Sequence, residues 1–298
     1  MSKLAYTKPA LSYLEQLNQL KDRGLLITDE AKTLHLLENI SYYRLSGYWY
    51  PLLIDKNNHL FKPGSNFETA FLLYCFDREL RALIISELEK IEVSIRAKMI
   101  HILSDAHGPF WFNDITLFKD SNKFQKTLSK IHEEYQRSDE EFIKAFKRKY
   151  SDPFPPAWMA LEITSLGSLS KLFSNLNTPI QKRAIAKFYG LADGVFEKWL
   201  HSIVYLRNVC AHHTRLWNRN MSISPQAPKT TTNTWITDKN VRTNKTYFML
   251  CMIRYLLQTV NPNTTFSDRL KQLFAKYPNV DAKAMDFPIN WEREPLWL

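Results

Sequence analysis

Apolar residues return every three or four positions through most of this chain, and only 7 glycines interrupt them. That pattern predicts helices and few tight hairpins. A first helix is expected over 7–21, with Thr7 as its cap, Pro9 in its first turn and Gly24 as its stop. A second follows Thr28 and runs to about Asn39. The aromatic cluster Ser41-Tyr-Tyr-Arg-Leu-Ser-Gly-Tyr-Trp-Tyr-Pro51 reads either as a packed junction between helices or as a base-stacking platform around Arg44. Residues 55–64 form a loop or small hairpin, and Ser65-Asn-Phe-Glu68 is a capping box that opens the longest helix, about 67–104. Leu73, Phe76, Leu80, Leu83, Ile84, Leu88, Ile91, Ile95 and Met99 hold one apolar stripe along it. The charges between them, Asp77, Arg78, Arg81, Glu87, Glu89 and Glu92, are expected on a solvated face.

Beyond a turn at His107, residues 122–150 carry one or two charged helices, the second opened by Ser138-Asp-Glu-Glu141. Lys144, Lys147, Arg148 and Lys149 make its end basic, a feature that also suits a helix C-terminus. Helices are predicted at about 156–174, from a Thr178-Pro-Ile-Gln181 capping box to 188, and from an Asp193 cap over Gly194 to His212. The polar stretch Ser222 to Asn240 reads as a long surface loop, functional or mobile. Helices near 244–260 and 267–276 precede an irregular tail with Trp291 and Trp297. With no repeat, low-complexity tract or domain boundary, the expected fold class is all-α and single-domain over 1–298. N-terminal helices (1–60) would pack on a core of about 65–260, followed by a C-terminal helix and tail (261–298).

Charge narrows the partner class. Lys+Arg exceeds Asp+Glu by 40 to 30, a net charge of +10, which favours a polyanion such as nucleic acid over an anionic membrane surface. Three cysteines without paired spacing suit free buried thiols in a reducing compartment. No apolar signal core opens the chain and no window has the ~18 apolar residues of a spanning helix, so a cytoplasmic location is expected. Phosphate-cradling glycine motifs are absent, and no cofactor or metal is expected. A metal site from His201, Cys210 and His212 is disfavoured because the helical wheel sets Cys210 opposite the two histidines.

The densest chemistry lies in Tyr205-Leu-Arg-Asn-Val-Cys-Ala-His-His-Thr-Arg-Leu-Trp-Asn-Arg219. Phe196, Trp199, Leu200, Ile203, Arg207, Cys210 and Thr214 share a stripe at 100° per residue, so Arg207 is expected on an otherwise apolar face. His201, Tyr205, Asn208 and His212 fall opposite. Arg207 and His212 are then about 140° apart on a regular helix. To act on one phosphate, either the helix unwinds near Ala211, the arginine reaches round, or two copies of the helix combine. The bare spacing is uninformative: with 15 arginines and 8 histidines it arises by chance about 0.4 times, and Arg96 with His101 repeats it. The context distinguishes Arg207: Asn208, the paired histidines, and Thr-Arg-Leu-Trp-Asn-Arg behind them.

Arg207-Asn-Val-Cys-Ala-His212-His-Thr-Arg-Leu-Trp-Asn-Arg219 resembles the signature of the Abi-like family of bacterial phage-resistance proteins, the AbiD and AbiF group, within the HEPN superfamily. Tyr42 to Pro51, Phe76-Asp-Arg-Glu-Leu-Arg81 and Glu92-Val-Ser-Ile-Arg96 resemble its upstream motifs in the same order. The resemblance implies a HEPN-like helical bundle with additional terminal helices and a long loop after the catalytic helix. It also implies a homodimer with a composite site and metal-independent RNA cleavage, in kinship with the RNA-cleaving domains of type VI CRISPR effectors. Some relatives are linked to a small structured RNA, which implies an RNA antitoxin as a further partner.

By position, Arg207 and His212 match that motif, Asn208 its polar companion, and His213 the spacing one residue longer. His212 is favoured because it shares a face with Asn208. A histidine would take the proton of a ribose 2′-hydroxyl, Arg207 would stabilise charge on the attacked phosphate, and a second histidine would protonate the leaving oxygen. The products would be 2′,3′-cyclic phosphate and 5′-hydroxyl ends. Arg215, Arg219, Arg44, Lys147 and Arg148 are candidate RNA contacts. The rivals are a non-catalytic module gripping a structured RNA and a metal-dependent DNA nuclease.

Overall fold

The computed structural model describes residues 5–298. Met1 to Leu4, part of the start read as lacking a signal core, lie outside the described residues. Among the described residues twelve α-helices and one two-stranded antiparallel sheet carry the fold, so it is all-helical as the periodicity predicts. Among the described residues no helix is long and apolar enough to cross a membrane. The chain divides into two compact units: the residues up to Leu80 with Leu273–Val280, and Arg81–Gln272 with Asp281–Leu298.

The first unit opens with α1 (Tyr13–Asp22), whose cap is Ser12 rather than Thr7. The Ser12 hydroxyl accepts from the Glu15 N–H at 3.3 Å and the Glu15 carboxylate accepts from the Ser12 N–H at 2.7 Å. This reciprocal box satisfies two end donors at once, which outweighs the Pro9 signal upstream. Then come α2 (Glu30–Ile40), α3 (Tyr42–Trp49), and strands β1 (Leu53–Asp55) and β2 (Leu60–Phe61), joined through Leu53 opposite Phe61. The aromatic cluster is therefore itself a helix. Leu45, Tyr48 and Trp49 are buried, while Tyr43 stands in solvent.

The longest helix, α4 (Phe67–His107), contributes Phe67 to Leu80 to the first unit and Arg81 to His107 to the second. Asn66, not Ser65, caps it, its side-chain oxygen accepting from the Thr69 N–H at 2.8 Å. The expected apolar stripe is buried, with Leu73 only partly so. The expected solvated face is only partly solvated: Arg78 and Glu89 are exposed, whereas Asp77, Arg81 and Glu87 are buried. The Tyr48 hydroxyl donates to Asp77 at 2.7 Å, and Glu87 accepts from Lys90 at 2.9 Å and from Arg269 at 3.1 Å. Charges enter a core only with such partners.

In the second unit follow α5 (Ser121–Arg137), α6 (Glu141–Lys149), α7 (Ala157–Ala160), α8 (Leu166–Asn175), α9 (Pro179–Phe188), α10 (Asp193–Ala211), α11 (Thr246–Val260) and α12 (Phe266–Lys276), the last of which continues into the first unit. The single helix expected over 156–174 is broken at 161–165. The Thr164 hydroxyl bonds back to the Ala160 carbonyl at 2.8 Å, its own carbonyl accepts from Arg96 at 2.8 Å, and Ser165 caps the restart by accepting from the Ser168 N–H. Thr178 makes no side-chain cap bond, so that box is only nominal. Cys75, Cys210 and Cys251 are buried and unbridged.

The core of this unit forms around α10. Phe196 packs on Phe173 and stacks on Tyr189, with ring centroids 5.2 and 5.0 Å apart, while Trp199 meets Tyr255 at 5.5 Å and Trp235 at 5.3 Å. Trp235 belongs to the segment read as a surface loop, which is irregular but anchored. Trp199 Nε1 donates to the Gln226 carbonyl at 2.8 Å, and the Thr232 N–H donates to Gly190, where a Cβ would stand 2.8 Å from Thr232 and from the Tyr255 hydroxyl.

Arg96 is 7% exposed, pairs with Glu92 at 3.0 Å and holds the Thr164 carbonyl. Removing it leaves a carboxylate and a carbonyl without their partner, so Arg96→Ala should lower unfolding free energy by about 3 kcal/mol in urea denaturation. Arg207→Ala, at an exposed position, should change it by no more than about 0.5 kcal/mol.

Candidate functional site

α10 runs to Ala211 because residues 195–210 supply a continuous apolar flank: Val195, Phe196, Trp199, Leu200, Ile203, Leu206, Val209 and Cys210 are all buried. It stops through a reciprocal pair of backbone bonds. The Thr214 N–H reaches back to the Val209 carbonyl and the His213 N–H to the Cys210 carbonyl, each at 3.0 Å. His213 takes the left-handed conformation, φ 55°, that this Schellman stop requires at the residue after the cap. Glycine is the usual occupant of that place, so an imidazole there is held at some conformational cost. His212 is the cap residue, its N–H bonded to the Asn208 carbonyl at 3.0 Å.

Arg207 is exposed, and so is Thr214. The expectation that Arg207 lies within the apolar face is corrected: the buried arc centres on Trp199, Ile203, Leu206 and Cys210, and Arg207 sits at its border. The rings that pack on this border, Phe173 and Tyr189, meet α10 at Phe196, about three turns before Arg207. The guanidinium Nη1 lies 3.5 Å from Asn208 Oδ1, so the side chain leans toward the polar face. On that face His201, Asn208 and His212 are exposed and Tyr205 is half-buried. Arg207, Asn208 and His212 thus share the solvent-facing end of one helix, which does end at Ala211. Arg96 is used inside the protein, whereas its counterpart Arg207 faces water.

Tyr205, which the helical wheel sets on the polar face without assigning it a role, is part of the site. Arg219 Nε donates to its hydroxyl at 3.2 Å, the Ser222 N–H at 3.4 Å, and the guanidinium carbon sits 5.9 Å from its ring. Burial opposes ionisation of this phenol, yet hydrogen bonds from Ser222 and Arg219 and the arginine's charge hold it below the ordinary tyrosine range. The sequence signal was present in its spacing: Tyr205 is four residues from His201 and seven from His212 on the polar face.

The remaining candidates separate. Arg219 also donates to the Arg215 carbonyl at 3.3 Å, so it ties the turn after α10 to the helix, and Arg215 lies half-buried within that turn. Lys147 donates to the carbonyls of Tyr135 and Gln136 at 2.9 and 3.1 Å and lies 4.6 Å over the Tyr135 ring, closing the end of α5; Arg148 beside it is exposed. Arg44 is exposed on α3 of the first unit. Cys210 is buried while His201 and His212 face solvent, and among the described residues no group of His, Cys, Asp and Glu is arranged to hold a metal ion.

This is an all-helical protein that exposes an arginine, an asparagine and two histidines together at the end of one buried-flank helix. The Abi-like protein family model matches residues 35–218, more than half the chain and the whole of α10, and the chain belongs to that family. Membership links it to abortive infection. No curated protein and no solved structure shows a significant match to it.

His213→Gly removes the left-handed strain and should raise unfolding free energy by about 1 kcal/mol. A loss of stability in the same urea titration would mean that the imidazole's own contacts outweigh the strain.

Proposed function

We propose that the chain is a metal-independent endoribonuclease of the HEPN type, acting as the toxin of an abortive-infection or toxin–antitoxin system. The observation that carries this reading is that Arg207, Asn208 and His212 are exposed together at the end of α10, whereas Arg96, which has the same spacing to a histidine, is buried in an ion pair. Histidine titrates nearest neutrality of the side chains, so His212 takes the proton from a ribose 2′-hydroxyl. Arg207 offers its planar fork to the phosphoryl oxygens as negative charge builds. Asn208 orients that fork. The leaving 5′-oxygen receives its proton from His213 or from a histidine of a second copy, leaving 2′,3′-cyclic phosphate and 5′-hydroxyl ends.

The unusual backbone of His213 favours a role for its side chain, since strained residues persist where the surroundings over-determine them and cluster at functional sites. A homodimer in which two α10 ends build one composite site would supply the second histidine that the leaving oxygen needs. A structured small RNA is the proposed restraining partner, with Arg215, Arg219, Arg44 and Arg148 as lower-ranked RNA contacts.

Purified full-length protein in EDTA should cut RNA and leave DNA intact. His212→Ala should lower the cleavage rate at least about 100-fold while keeping RNA affinity. Cleavage that needs a divalent metal, or that survives His212→Ala, would sink the assignment.

A further inference from the structure

The polar face of α10 does not end at the motif. Traced toward the helix N-terminus, it becomes the floor of a cleft of about 980 Å³ whose walls are α5, α8 and the segment after α10. α10 supplies Lys198, His201, Val204 and Asn208, and Ile223 and Ser224 close one side. Five lysines line it: Lys123, Lys126 and Lys130 along α5, Lys171 on α8 and Lys198 on α10. Two carboxylates oppose them, and one, Glu197, is already bound to the buried Lys182 at 2.6 Å. Lys123 lies 3.4 Å from Asp120 and Lys198 donates to the Gln226 side chain, but among the described residues no carboxylate pairs with Lys126, Lys130 or Lys171. The long stems of these lysines supply apolar walls while their ammonium groups meet solvent.

We propose that this cleft holds an unpaired stretch of RNA by its phosphates and leads it to Arg207 and His212. The proposal rests on the reading of the protein as one that acts on RNA, and adds where the strand lies. Asn208 belongs both to the cleft lining and to the motif, so the two are continuous along one helix face. From Lys198 to Asn208 is ten residues, about 15 Å of helix, with His212 one turn further on. A concave cationic trough suits a single strand; a duplex is gripped across its grooves by elements that project. Among the described residues no Phe, Tyr or Trp lines the cleft, so its contacts are chiefly to the phosphates and tolerate most base sequences. Choice of cleavage position is then left to the residues around His212.

The test measures binding of an unstructured RNA of about twenty nucleotides to full-length protein carrying His212→Ala, across a salt series. In that background, Lys126→Ala/Lys130→Ala/Lys171→Ala should flatten the log–log salt slope by about 2 and weaken binding about tenfold at low salt. The matching arginine triple should restore both. A control of equal charge, Lys187→Ala/Lys229→Ala/Lys239→Ala, lies outside the cleft and should move neither by as much. Equal losses in the cleft and control triples would overturn the proposal, as would binding unaffected by the cleft triple or no RNA binding at all. Cleavage by the chain with His212 intact is scored separately. Cleft-dependent binding without cleavage would leave the cleft standing and remove the nuclease assignment, and His212-dependent cleavage with cleft-independent binding would do the reverse.

Discussion

Burial of one flank of α10 is the constraint on which the second unit rests. Phe196, Trp199, Ile203 and Leu206 must leave water together, and α8, α9, α11 and the anchored segment around Trp235 supply the surfaces that let them. A helix so committed on one side has no freedom to rotate, so its opposite side is fixed in solvent. The Schellman stop then fixes the chain's exit, with His212 as cap and His213 forced into left-handed geometry. Position of the candidate chemistry therefore follows from apolar packing and two backbone hydrogen bonds.

Periodicity made the helices legible and, with them, the polar face of His201, Tyr205, Asn208 and His212. It failed where polar groups find partners far away in sequence. Asp77 and Glu87 read as solvated because a helical wheel has no knowledge of Tyr48 or Arg269. The break between α7 and α8 was invisible because it depends on Arg96, 68 residues earlier, taking the Thr164 carbonyl. Ser222 to Asn240 looked unattached because Trp235, its anchor, is one aromatic in a polar run. Arg207 was placed within the apolar face because the wheel assumes uniform cover along a helix, whereas the rings that cover this border end well before it.

The two occurrences of an arginine five residues before a histidine illustrate how structure separates signals that sequence leaves equal. Arg96 satisfies an internal carboxylate and a carbonyl, so its spacing to His101 is incidental to packing. Among the described residues Arg207 meets nothing stronger than a 3.5 Å approach to Asn208. Family membership covers both arginines alike and so cannot rank them; exposure does. The lysine-lined cleft extends the same argument, since its open cations lie along the face that Asn208 begins.

The most direct measurement is the cellular RNA profile, with end chemistry, after brief expression of the wild-type chain beside Arg207→Ala. The account predicts RNA fragments with 2′,3′-cyclic phosphate and 5′-hydroxyl ends from the wild type and intact RNA from an equally abundant, equally stable variant. Identical RNA profiles from the two proteins, or fragments with 5′-phosphate ends, would contradict it.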